Sequence, residues 1–304
     1  MNTHTAFIRY TRFVLVFVFL VILAGGVVRT TQSGMGCPDW PRCFGRWVPP
    51  TDASQLPPYF EKYLKQQDID HTFNAYHTWI EYINRLLGAL LGVWIFIHTV
   101  WSFRKYSKTN RKIFWLSLLL LLATGFQGWL GKKVVDANLA VVKVTTHMLV
   151  ALVIAAIPLI IIHLLKRQER LSNKRLKWLT LVTLLVLLAQ IVLGTEVREQ
   201  IDEIAKPLLY TRRETWIARL DHYFTLHKIM AWLVAVLCIG IFWLSLGYKQ
   251  VQRKGVFILV SVLLTIAMGL ILAGLNMPAF AQPAHLLMAS LLVIQLLDVR
   301  LKIK

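Results

Sequence analysis

Apolar residues fall in eight long runs separated by short polar stretches, and that alternation dominates the chain. The runs are Phe13 to Val28, Ala75 to Trp101, Ile113 to Leu130, Val142 to Leu165, Trp178 to Gly194, His222 to Leu246, Gly255 to Ala273 and Ala284 to Leu297. Several reach the roughly 20 residues that cross about 30 Å of hydrocarbon. Lipid cannot satisfy backbone polar groups, so each run is predicted to be a helix. The expected fold class is an all-α polytopic membrane protein. At 57% hydrophobic residues, the composition excludes a water-soluble globule of 304 residues.

The net charge of +19 changes the picture only through its distribution. Arg9 and Arg12 precede the first run. Arg104, Lys105, Lys108, Arg111 and Lys112 follow the second, and Lys166, Arg167, Arg170, Lys174, Arg175 and Lys177 follow the fourth. Lys249, Arg253 and Lys254 separate the sixth and seventh, and Arg300, Lys302 and Lys304 end the chain, against only Glu169 and Asp298 on that side. The alternate loops are nearly balanced. By the positive-inside rule both termini are expected to be cytoplasmic. The charge is thus a topology signal, with anionic lipid as a secondary partner and no nucleic acid implied. The first run resembles a signal-peptide core, but GGVVRTTQSG follows without a small-residue cleavage site, so it is read as an uncleaved span. A bacterial inner membrane is the expected address.

Polar residues inside the runs mark the candidate chemistry, because ionisable groups at that depth are costly and usually functional. His77 to Gly92, HTWIEYINRLLGALLG, carries Glu81 and Arg85 into its apolar run, with Asn84 three residues after Glu81 and His77 four before it. That spacing sets them near one stripe of a helix. The bland reading is an ion pair that only orients the helix. The chain also repeats itself. Runs two and six enter with NRLLGALL and HKIMAWLV, and runs four and eight with THMLVALV and AHLLMASL. This predicts two pseudo-symmetric four-helix bundles, residues 1–165 and 166–304. In that register Asn84, His147, His227 and His285 recur near the start of each even-numbered run. Facing imidazoles at matched depth are what a bundle uses to hold haem iron from both faces. The second half offers His227 and His285; the first sets Asn84 opposite His147, and an amide is a poor iron ligand.

The loop Thr31 to Thr72 contains GCPDWPRCFG, where Cys37 and Cys43 can close a small disulfide ring on an oxidising side; a metal site would need a second pair. Cys238 is expected to pack within its span. Gly125, Gly128 and Gly131 admit a close helix or a flat ligand. His98 and His163, near the basic ends, are expected to snorkel to the headgroups, and His222 to be interfacial. Arg29, Arg85, Lys143 and Lys228 stand where they could pair with propionates or cap the spans.

GGVVRTTQSGMGCPDWPRCFG at Gly25 to Gly45, IEYINR at Ile80 to Arg85 and the half-repeated histidines resemble haem A synthase, over essentially all eight runs. The resemblance implies oxidation of a ring methyl of haem O to a formyl group, giving haem A for terminal oxidases. It implies a b-type haem cofactor on His227 and His285 and a substrate site in the first half. There Glu81 would be the catalytic carboxylate, and histidine ligands are expected at the positions of Asn84 and His147. It further associates Cys37 and Cys43 with thiol exchange, and some relatives carry a second cysteine pair that Thr195 to Asp221 lacks. Because Asn84 replaces a histidine, substrate iron is left to His147 alone, to His147 with His77, or to His147 with a sixth position free. Implied partners are haem O synthase, an electron donor of unstated identity, a thiol-disulfide oxidoreductase and further copies of the chain. The competing readings are a non-catalytic dihaem electron carrier and a haem transporter or chaperone.

Overall fold

The computed structural model describes residues 3–60, 73–136, 141–166 and 169–304. The cysteine-containing loop is therefore seen as far as Phe60, and Arg167 lies outside the described residues. Eight helices among them are long and apolar enough to cross a membrane. They are α1 (Thr3–Thr30), α2 (Ala75–Tyr106), α3 (Arg111–Asp136), α4 (Val141–Lys166), α5 (Lys174–Ala205), α6 (His222–Leu246), α7 (Gln252–Gly274) and α8 (Ala281–Leu301). This is the expected all-α, multi-pass membrane fold.

Local chemistry sets the helix ends. Asn74 caps α2 by accepting the N–H groups of Tyr76 and His77, Asn173 caps α5 through Leu176, and Asp221 caps α6 through Tyr223. Inside the helices, hydroxyls that lipid could not satisfy turn back onto carbonyls four residues earlier, as Thr99 does to Ile95, Ser117 to Ile113 and Thr180 to Leu176.

Two compact units emerge, Met1–Pro158 and Leu159–Lys304, so the division falls within α4 rather than in the basic linker. The reason is visible beyond Pro158: His163 Nε2 lies 2.5 Å from Asp298 Oδ1 on α8, and Lys254 on α7 pairs with the other oxygen of the same carboxylate. In the first unit α1 and α3 both pack against α2. In the second, α5, α6, α7 and α8 pack in sequence and α8 returns to α5, closing a four-helix ring.

Two features depart from the sequence reading. Helix α5 runs eleven residues past Gly194, because Ile201 and Ala205 are buried with Trp216 and Met277 in a small apolar cap over the end of the bundle. His98 does not snorkel. It is fully buried, with Nε2 3.0 Å from Thr11 Oγ1 and its ring 4.6 Å from that of Phe7, so it ties α2 to α1. His163 likewise pairs internally with Asp298 instead of reaching for headgroups.

Candidate functional site

Helix α2 begins as the receptor for the cysteine loop. Cys37 and Cys43 form a disulfide, and with Phe44 they make a buried cluster against Leu56, Phe73 and Tyr82. Asp39 closes the ring from within by accepting the N–H groups of Phe44 at 2.6 Å and Gly45 at 2.8 Å. These two residues have positive φ, 53° and 74°.

One face of α2 holds this ring through backbone atoms. The Thr78 hydroxyl donates to the Gly36 carbonyl at 2.8 Å, and the Cys37 N–H donates to Glu81 Oε2 at 2.8 Å. Arg85 donates to Glu81 Oε1 from Nε and Nη2, and also to the carbonyls of Cys37, Asp39 and Arg42. Trp79 Nε1 and the Tyr82 hydroxyl reach the carbonyls of Pro50 and Trp47. Gly36 is required here, since a Cβ would lie 2.5 Å from the His77 carbonyl group. Among the described residues Glu81 is the only acidic side chain in the buried class. The ion pair is thus real, and it does more than orient a helix: it fastens a loop.

His77 sits in the first turn of α2 with its carbonyl against Gly36 and its ring 5.9 Å from that of Tyr76. Two turns inward, Asn84 shares its helical stripe with buried Leu91 and Ile95. Asn84 Oδ1 is buried and has no hydrogen-bond partner. Beside it lies an open groove of about 250 Å³ lined by Leu20, Leu23, Ala24 and Val27 of α1 and by Ile80 and Ile83 of α2.

The histidines share one construction. His147 rests on Gly131 of α3, His227 on Gly194 of α5, and His285 on Gly269 of α7. A Cβ at those glycines would lie 3.3, 3.2 and 3.4 Å from the respective imidazole Cε1. A glutamine on the neighbouring helix donates to the histidine carbonyl in two cases, Gln127 to His147 and Gln190 to His227, both at 2.9 Å. His147 Nδ1 and His227 Nδ1 are buried without partners. His285 Nδ1 faces the Thr265 carbonyl at 2.9 Å, which fixes a proton there and leaves Nε2 as the electron-pair donor. The His227 and His285 rings lie 6.5 Å apart, centroid to centroid, at 58°. Two metal–nitrogen bonds of about 2 Å plus the half-width of each ring come to roughly 6 Å, so the gap suits one metal between two imidazoles. No group of three or more His, Cys, Asp or Glu among the described residues gathers to hold a bare ion. An iron brought with its own equatorial ligands is what such a pair can take.

The COX15-CtaA family model, described as cytochrome oxidase assembly protein, matches residues 8–297. The chain belongs to that family. Relatives named heme A synthase include one from Shewanella oneidensis, 33% identical over 189 residues, covering 60% of this chain and 54% of the relative. Another, from Nitrosospira multiformis, is 29% identical over 262 residues, covering 75% of this chain and 72% of the relative. A third, from Beijerinckia indica, is 27% identical over 308 residues, covering 88% and 84%. The match to the Shewanella relative thus spans about half of that protein's length.

Sequence reasoning placed the histidines and Glu81 correctly in their helices. It missed Thr78, Gly36 and the glycine seats at Gly194 and Gly269, which carry no polar signature. Of the three seats, Gly131 alone belongs to a glycine series visible in the sequence. Of the cations, Lys228 lies over the Phe224 ring at 4.6 Å.

Proposed function

We propose that this chain is a haem A synthase, oxidising a ring methyl of haem O to a formyl group, in a bacterial inner membrane with both termini cytoplasmic. The observation that carries the reading is the glycine-seated imidazole, built once in the first unit and twice in the second, where the pair faces across 6.5 Å. Membership of an oxidase-assembly family supports it. His227 and His285 are assigned to a b-type haem. The orphaned His227 Nδ1, the proton fixed on His285 Nδ1 and the two glycine seats all fit that group. His147 is assigned to the iron of the substrate, haem O. When bound, the b-type haem supplies the electron transfer that no side chain offers.

The residues of this chain then do three things. Gly194 and Gly269 set the depth and tilt of the axial imidazoles by allowing the backbone to approach them. Glu81, one turn from Asn84, provides a buried carboxyl group beside the substrate site, suited to stabilising positive character at the methyl carbon or accepting its proton. Arg85 holds that carboxylate in place and keeps the disulfide ring over the end of α2. A thiol-disulfide oxidoreductase acting on Cys37–Cys43, a haem O synthase supplying substrate, an electron donor and self-association are the partners this reading accommodates.

The deciding experiment supplies haem O to the purified chain in membranes and analyses extracted pigment. Conversion to haem A is expected, and Glu81→Gln should keep the second-unit haem while abolishing conversion. Haem bound and reduced but never altered would favour an electron carrier or a chaperone.

A further inference from the structure

The three glycine seats meet the same edge of the imidazole. A Cβ on Gly131, Gly194 or Gly269 would touch Cε1 of its histidine first and Nδ1 next, the latter at 4.0, 3.7 and 3.7 Å, with nothing else within 4 Å. The seat therefore faces Nδ1, and Nε2 is the nitrogen left for a metal. A neutral imidazole that binds through Nε2 carries its proton on Nδ1, and that buried N–H needs an acceptor.

The residue one turn before each seat decides whether it finds one. Before Gly269 that residue is Thr265, whose main-chain carbonyl lies 2.9 Å from His285 Nδ1. Before Gly194 and Gly131 it is a glutamine. Gln190 and Gln127 donate their amides to the main-chain carbonyls of His227 and His147, both at 2.9 Å. The ring gains no acceptor from them: His227 Nδ1 and His147 Nδ1 are buried without a partner, as is Oε1 of each glutamine. Gln190 Nε2 also stands 3.4 Å from His227 Nε2, where its N–H competes for the electron pair that iron would take.

We infer, on the haem reading above, that the two axial ligands of the second-unit site are unequal: His285 is the anchor that retains the porphyrin, and His227 is the ligand that yields. A hydrogen bond from Nδ1–H to a carbonyl orients the ring and makes Nε2 a stronger donor, whereas a buried N–H without an acceptor opposes the same iron bond. His147 is built as His227 is, with the glutamine clamp and the unpaired Nδ1. The yielding construction thus stands in the first unit, from which a substrate must leave as product. The anchoring one stands at His285, where a cofactor stays.

The test compares His227→Ala with His285→Ala in the full-length chain, each in a His147→Ala background so that haem is held by the second unit. The chains are purified from membranes and loaded with iron protoporphyrin. His227→Ala should keep its haem as a five-coordinate, high-spin species that returns to low spin with added imidazole. His285→Ala should give up its haem to apomyoglobin about tenfold faster than His227→Ala, the difference that one hydrogen bond at the retained ligand makes. Equal rates, or the reverse order, would overturn the inference and leave the two-histidine reading standing. Should either variant unfold, the chain with both histidines decides: electron–nuclear double resonance of its oxidised low-spin haem should give two distinct axial nitrogen couplings, and a single coupling would overturn the inference. A chain that takes up no haem with all three histidines in place would remove the haem reading itself.

Discussion

Glu81 and Arg85 are each satisfied several times over, and the partners are mostly backbone atoms of a loop more than forty residues away in sequence. Arg85→Ala would leave Glu81 buried without its counter-charge, a change worth about 3–5 kcal/mol. It should therefore destabilise more than Glu81→Gln, and Arg85→Lys should restore little, because a point charge cannot fork to several carbonyls. Thermal unfolding in detergent, with hydrogen exchange over residues 36–47, checks both. The presence of the ion pair was legible in the sequence as charge inside an apolar run. Its function as a clasp was not, since the accepting carbonyls of Cys37, Asp39 and Arg42 leave no trace in side-chain identity. His98 misled for a similar reason: Thr11 and Phe7, which enclose it, are far away in the chain. The glycine seats give a second residue-scale prediction. Gly194→Ala would set a methyl 3.2 Å from Cε1 of His227, close enough that the imidazole must shift, costing roughly 1–3 kcal/mol. It should shift the spectrum of the second-unit haem and speed its loss, with far less effect on the first.

At the scale of elements, both units carry a cap that hydropathy alone does not reveal. Helix α5 continues into polar sequence, where Arg198 and Asp202 pair at 2.5 Å along the helix while Ile201 and Ala205 turn inward onto Trp216 and Met277. The apolar run marked the membrane-spanning part and stopped at Gly194. The rest follows a helical period too sparse in apolar residues to stand out. Trp216→Ala should cost about 3–5 kcal/mol and open residues 206–221 to protease while leaving the helices intact. In the first unit, replacing Cys37 and Cys43 by Ser removes the closure of a small ring, worth roughly 2 kcal/mol on the chain-entropy model. Because Glu81 and Arg85 grip backbone atoms, the loop should loosen without detaching. Hydrogen exchange at Cys37 N–H distinguishes loosening from release, and full exposure there would show that the disulfide, not the clasp, holds the loop.

Across the whole molecule, eight spans and their order followed from hydropathy and backbone satisfaction, since lipid permits few alternatives. The compact units meet within α4, where His163 pairs with Asp298 and Lys254 pairs with the same carboxylate. The four recurring polar positions were legible in register. What stands around each of them was not: three glycine seats and one open aliphatic groove depend on neighbouring helices that no single run encodes. The central claim is that this chain binds two porphyrins, using the one on His227 and His285 to alter the other. Its most direct test is the pigment extracted from purified protein after exposure to haem O, compared with the His227→Ala, His285→Ala double variant. The account predicts haem A together with one retained b-type haem from the unaltered chain, and neither from the double variant. Haem O recovered unchanged, or the same pigments from both proteins, would contradict it.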